Sequence, residues 1–248
     1  QRHFVLTARP PLTREEFQLT HPRGSIAVDG YLPEGPWLDL DALQANLNHH
    51  EAVDRLATRC TTAQAAIGVR MGRFEEFYRE GIHFWTNDCA PDVATALWVL
   101  ENPARMRGVL NPLFTKMLHL LDMLDTTAAT YPFPEDFDLG EYHWIFAPYF
   151  DAQRLGVIER KDPRDYERIT NECHLHLEQY LAGKPLHVEI ETGYDTIALH
   201  QGWGMFRARG SLSRMGLVAA GHFAFVLVRE RPDNRWTYTL QRTSDGVR

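Results

Sequence analysis

Apolar and polar positions divide the chain into a long helix-rich part with isolated strands and a shorter strand-rich part. Short apolar runs that end in turn residues predict strands. These are Phe4-Val5-Leu6, closed by Arg9-Pro10-Pro11; Ser25-Ile26-Ala27-Val28, ended by Asp29-Gly30; and Ile82-His83-Phe84-Trp85-Thr86, which runs into Asn87-Asp88-Cys89-Ala90-Pro91-Asp92. Thr13-Arg14-Glu15-Glu16 reads as a helix start soon stopped by Pro22 and Gly24. The segment from Tyr31 to Leu47 is broken by Pro33 and Gly35-Pro36. From about Glu51 to Met71 the spacing of Val53, Leu56, Ala57, Ala63, Ala66, Ile67 and Val69 predicts a helix, and Phe74 to Tyr78 adds another helical turn.

Pro91 suits a first helical turn, so a helix is expected through Leu100. Ala104 to Thr130 reads as one or two helices with a restart at Asn111-Pro112, carrying an apolar stripe from Leu110 to Leu124. Asp122 and Asp125 interrupt that stripe on nearly one face. Asp162-Pro163 opens a helix ending near Leu181-Ala182-Gly183, in which His174 and His176 read as ordinary helix residues. Beyond Gly183 the pattern changes to short β runs: His187 to Glu191, Thr196 to His200, Phe223 to Val228 and Trp236 to Leu240, the last two joined by Pro232-Asp233-Asn234. The expectation is an α/β fold, a mainly parallel sheet flanked by helices, with a smaller C-terminal α+β domain. Residues 1–150 would form the first domain, 151–183 a linker helix, and 184–248 a β-rich domain.

A formal net charge of -7 argues against a protein that coats nucleic acid through a general basic surface. Cys60, Cys89 and Cys173 are scattered and form no Cys-x-x-Cys pair, which fits a reducing, cytoplasmic setting rather than a disulfide framework or a zinc ribbon. No apolar run approaches the ~20 residues of a membrane span, so no membrane partner is expected. Oligomeric state is left open.

The candidate chemistry centres on Asn48-His49-His50. Adjacent side chains point in different directions, so one imidazole can face a metal while its neighbour faces a substrate. The same dipeptide also reads as a polar loop. Asp29 ends a predicted strand, where α/β proteins place ligand groups, and equally reads as a turn residue before Gly30. Asp88 and Asp92 flank a strand-to-helix loop as ligands or as helix caps. Asp122 and Asp125 need solvent or a partner amid apolar neighbours. Arg207, Arg209 and Arg214 lie among Gly202, Gly204, Gly210 and Gly216, a composition that suits phosphate binding or a plain surface loop.

Together these pieces resemble the DHH phosphoesterase superfamily with a permuted motif order. Asn48-His49-His50 resembles the name-giving motif. Ile26-Ala27-Val28-Asp29-Gly30 resembles the strand-end Asp, Asn87 to Asp92 the Asp-rich loop, and Leu121-Asp122-Met123-Leu124-Asp125-Thr126 the helical Asp. The hairpin Ala224 to Arg229 with Trp236 to Ser244 looks like the end of the domain that accompanies DHH domains. The resemblance spans roughly Ser25 to Ser244. It implies hydrolysis of a phosphodiester or phosphomonoester of a nucleotide or short oligonucleotide, with Mn²⁺ or Mg²⁺. Asp29 would bridge two metals. His49 would ligate one, beside Asp122 or Asp125, and Asp88, Asp92 and His83 would serve the other. His50 would contact the phosphate, and Arg207, Arg209 or Arg214 would close over it. Partners would be small phosphorylated molecules, nucleotides or short single strands, with Trp203 and Phe206 either stacking a base or filling a core. Asn48 replaces the family's Asp, and Ala90 stands where an acid would be expected. Those departures support the alternative of a non-catalytic nucleotide-binding or regulatory protein on a degenerate scaffold.

Overall fold

Four parallel strands lie side by side and share one carboxyl edge, and the rest of the first unit is built around them. In the computed structural model the described residues are 1–6, 11–133, 139–184, 193–200, 203–209, 217, 224–230 and 234–241. The chain divides into two units, Gln1–Thr126 with Ile145–Lys184, and Thr127–Trp144 with Pro185–Arg248. The fold is mixed α/β with two sheets.

The first unit holds β1 (Arg2–Phe4), β2 (Ser25–Ala27), β3 (Trp37–Asp39), β4 (Gln44–Asn46) and β5 (His83–Thr86), in the order β1-β5-β2-β4-β3. The β1–β5, β5–β2 and β2–β4 pairs are parallel, and β3 is antiparallel to β4. All three residues of β2 and of β4 are buried, as expected for strands covered on both faces. The sequence pattern misses β3 and β4 because they are short and β4 carries two amides. The NH2 ends of those amides are bonded locally, Asn46 Nδ2 donating to the Glu34 carbonyl at 2.9 Å and Gln44 Nε2 to the His21 carbonyl at 2.9 Å, while among the described residues their side-chain oxygens have no partner.

Helix α1 (Arg14–Thr20) starts with a reciprocal capping box between Thr13 and Glu16, and its Phe17 packs with Ala27, Tyr31 and Leu32 in the core. The helix expected from Glu51 begins only at Thr61, as α2 (Thr61–Arg70). Residues 51–60 form turns, with Ala52 at φ 56° and Leu56 exposed. The start is fixed by distant acids that periodicity does not show. Asp122 accepts the Cys60 N–H at 2.9 Å, and Asp92 accepts the Thr61 and Thr62 N–H groups at 2.8 and 2.9 Å. After α3 (Glu75–Glu80), α4 (Pro91–Glu101) is buried from Pro91 to Leu100. The short α5 (Pro103–Met106) precedes α6 (Pro112–Thr126), which stops before Thr130 because Ala128 and Ala129 take left-handed backbone. Next come α7 (Gly140–Ile145), α8 (Ala147–Arg154) and α9 (Pro163–Leu181). Residues 151–183, read above as a linker, are part of the first unit. Helix α9 reaches α4 through Trp98 Nε1 donating to Glu178 at 2.8 Å, and reaches β1 through Arg2 donating to Asn171 at 2.6 Å.

In the second unit, β6 (Tyr194–His200), β7 (Trp203–Ala208), β8 (Phe225–Glu230) and β9 (Trp236–Gln241) form a sheet in chain order. The β7–β8 pair is parallel and the other two are antiparallel. The Gly- and Arg-containing stretch therefore supplies a strand, β7, where a loop was expected. Phe206, Phe225 and Leu227 are fully buried, so Phe206 is core, while Trp203 is 44% exposed and stacks on His200. The run His187 to Glu191, the turn residues Pro232 and Asp233, and Arg214 lie outside the described residues. Among the described residues no helix is long and apolar enough to cross a membrane.

Gly24 leads into β2 at φ +83°, and a Cβ there would sit 2.5 Å from the Gly81 carbonyl oxygen. Gly108, at φ +71°, has nothing within 4 Å of such a Cβ. Urea unfolding should therefore separate two glycines of similar backbone. Gly24→Ala is expected to cost at least about 2 kcal/mol, and Gly108→Ala only about 1 kcal/mol from backbone alone. Equal losses would mean that the Gly24–Gly81 approach is not constrained.

Candidate metal centre

Because β5, β2 and β4 are parallel neighbours, the residues that follow them emerge side by side. The chain after β5 carries Asp88, that after β2 carries Asp29, and that after β4 carries His49 and His50. This is the edge where open α/β sheets collect ligand groups. Asp29 opens a one-turn 3-10 helix (Asp29–Tyr31) at φ 55°, a left-handed value uncommon for a residue with a Cβ.

Asn48 fixes the backbone that carries the two histidines, whose ring centroids are 4.2 Å apart. Its Oδ1 accepts the His50 N–H at 2.9 Å, while its Nδ2 donates to the Leu32 carbonyl at 3.0 Å and to Glu51 Oε2 at 2.5 Å. With the amide held on both sides, the backbone turns. The His49 side chain is fully buried, whereas that of His50 is 31% exposed. His49 Nε2 lies 2.8 Å from Asp125 Oδ2, 3.7 Å from Asp29 Oδ1 and 3.9 Å from Asp92 Oδ2. His50 Nε2 lies 2.8 Å from Asp29 Oδ1. The Asp125 contact is close but off-line for an N–H···O bond. Among the described residues neither ring nitrogen of His49 has a hydrogen-bond partner.

Two overlapping ligand groups result, Asp29 with His49 and His50, and His49 with Asp92 and Asp125. A buried imidazole with an uncommitted nitrogen facing three carboxylates is costly unless a cation joins them. The residues fit one. A mixed carboxylate and imidazole set suits Mn²⁺ or Mg²⁺ better than a thiolate-seeking ion, and Cys60, Cys89 and Cys173 are all buried free thiols.

Burial would lower the pKa of His49, but Asp125, with Asp92 behind it, outweighs burial and raises it. His50 is raised chiefly by Asp29. Burial, reinforced by the charges of Asp125 and Asp29, pushes Asp92 up to about 7. Asp125 goes the other way. Burial opposes its ionisation, but His49 beside it wins and lowers it.

The expected residues divide accordingly. Asp29, His49, His50, Asp92 and Asp125 are brought together. Asp122, one turn before Asp125, is spent on the Cys60 N–H and on Arg59 Nη1 at 2.6 Å, which leaves Asp125 as the helical acid in the cluster. Asp88 is half-buried, accepts the Cys89 N–H at 2.7 Å and feels the charge of Asp29, but belongs to neither ligand group. His83 sits at the amino end of β5 and meets His3, ring nitrogen to ring nitrogen, at 3.0 Å. It is therefore at the wrong end of its strand to reach the cluster. In the second unit Arg209 pairs with Asp195, and the Arg207 guanidinium lies 5.6 Å over the Trp236 ring. Sequence reasoning missed Thr61, whose Oγ1 is 3.5 Å from Asp29 Oδ1, and Arg55, which reaches Asp125 across 70 residues. Neither contact leaves a periodic signal. No family model, curated protein or solved structure matches the chain.

A cation entering this cluster must displace protons. His49 and Asp92 both hold theirs to higher pH than an ordinary histidine or carboxylate does, so affinity should rise as pH climbs through that raised range. The expected result is a larger increase in melting temperature on adding Mn²⁺ at about pH 8 than at about pH 5.5. An increase independent of pH would exclude these groups as ligands.

Proposed function

We propose that the protein is a metal-dependent phosphoesterase of DHH-like type acting on a nucleotide or short oligonucleotide. The observation that carries this reading is the His49 ring set among Asp29, Asp92 and Asp125, with His50 beside it on the open side. His49, Asp92 and Asp125 would hold one cation, and Asp29 would extend the set toward a second. When bound, the metal supplies positive charge that polarises the phosphoryl group and acidifies the attacking water.

The protein's own groups do the rest. His49 and Asp92 form a dry floor, which strengthens every charge interaction above it. Asp29 lies 2.8 Å from His50 Nε2 and favours the imidazolium, and Nδ1 is the ring donor that would remain for an incoming phosphate. A donor placed there stabilises the charge that gathers on the phosphoryl oxygens during displacement. The net charge of -7 favours a small or short substrate over a long duplex.

Asn48 and Ala90 lend little to the alternative of a binder that turns nothing over. The Asn48 amide is occupied by Leu32, Glu51 and His50, a task of shape that needs no charge. Ala90 stands at the N-terminal boundary of α4 without a side-chain cap, and Asp92, in the first turn of that helix, would provide the acid.

The test is hydrolysis of an aryl phosphodiester with Mn²⁺, alongside metal content by elemental analysis. His49→Ala is expected to lose metal. His50→Ala is expected to keep it and to lose on the order of 10²–10³ in kcat. Equal metal content in wild type and both variants would refute His49 as a ligand. Metal-loaded wild type that hydrolyses no phosphoester would refute the enzyme.

A further inference from the structure

The cluster has a closed side and an open side. The His49 side chain is fully buried and that of Asp92 is 8% exposed, whereas those of Asp125, His50 and Arg55 are 27%, 31% and 36% exposed. The exposed groups mark the direction from which a ligand arrives, and Arg55 is the one permanent cation among them.

Its guanidinium is only partly used. Nη2 donates to the Asp125 backbone carbonyl at 2.6 Å and lies 3.7 Å from Asp125 Oδ1. That is its one hydrogen bond among the described residues, and Nε is a buried donor without a partner there. The carbonyl bond holds the head beside the ligand carboxylate instead of letting it swing into solvent. The Arg55 charge also reaches His50, where it opposes protonation of the ring. Arg59, four residues on, has a different fate: it is 62% exposed and paired with Asp122, outside the ligand groups.

Charge balance gives Arg55 a task. Asp29, Asp92 and Asp125 make the ligand set strongly anionic, and a phosphate ester adds more negative charge. A divalent cation offsets only part of this. An anion that approaches from the open side needs a second source of positive charge, and a guanidinium fork matches phosphate oxygens in geometry as well as charge.

We propose that Arg55, together with His50, forms the oxyanion subsite of this centre, with Arg55 donating directly to a non-bridging oxygen of the substrate phosphate. This rests on the metal-centre reading above and goes beyond it, because it assigns phosphate recognition to the loop before α2. It predicts a substrate phosphate that is terminal or accessible from one side, since the donors stand on the rim rather than around a closed cavity.

The experiment uses the full chain and two probes in sequence. Mn²⁺ is titrated first, then inorganic phosphate into the Mn²⁺-loaded protein, both by calorimetry, for wild type, Arg55→Gln and Arg55→Lys. Arg55→Gln should bind Mn²⁺ within about threefold of wild type and lose at least about tenfold in phosphate affinity, the usual scale for a lost charge-assisted hydrogen bond. Arg55→Lys, which keeps the charge without the fork and guards against a folding defect, should fall between. If Arg55→Gln loses Mn²⁺ and phosphate in parallel, Arg55 is a positioning residue for Asp125 and the subsite assignment is wrong. If phosphate binds all three loaded proteins equally, it is also wrong. Failure of the wild type to bind Mn²⁺ would instead overturn the metal-centre reading, and the subsite with it.

Discussion

Like charges buried together are the constraint on which this structure depends. Asp29, Asp92 and Asp125 converge on a single imidazole at the edge of a sheet, in surroundings where each ionised carboxylate costs several kcal/mol to bury. The positive charge that Asp125 and Asp92 favour on His49 relieves part of the repulsion, and the raised pKa of Asp92 is the remainder showing itself. Such a cluster is a poor way to stabilise a fold. It makes sense as a preorganised site whose charges are balanced by a bound ion.

The same acids also build the scaffold. Asp92 receives the first two N–H groups of α2 while its oxygen faces His49, and Asp122 receives the N–H just before them. The start of α2 is thereby tied to α4 and α6. The cluster cannot loosen without uncapping a helix, and the helix cannot shift without moving one of the cluster's acids. Favourable placement of a carboxylate at a helix N-terminus offsets some of the burial cost, but the upward shift of Asp92 means that burial wins. Asp125 is free of any capping duty and sits on the open side, which suits the exchange of ligands there.

Much of this was legible in the sequence. Asp29 and the strand-to-helix loop with Asp92 could be placed because each follows a strong apolar run; the His49 and His50 rings, expected to point in different directions, instead lie with centroids 4.2 Å apart and both approach Asp29. The choice between Asp122 and Asp125 could not be made, since both lie on nearly the same helix face. It is decided by Arg59 and by the Cys60 N–H, contacts across more than 60 residues. The late start of α2 and the strands β3 and β4 were hidden for related reasons. Apolar periodicity in residues 51–60 imitates a helix that distant caps postpone, and three-residue strands with buried amides carry no alternation. The Arg-rich stretch was read from composition alone, and composition does not distinguish a loop from β7.

The most direct test of the metal centre is anomalous diffraction from crystals grown with Mn²⁺ and without chelator. The account predicts a peak within roughly 2.0–2.3 Å of His49 Nε2 and of carboxylate oxygens from Asp92 and Asp125. A structure at the same Mn²⁺ concentration with no peak there, and with Asp125 hydrogen-bonded in line to His49, would contradict it.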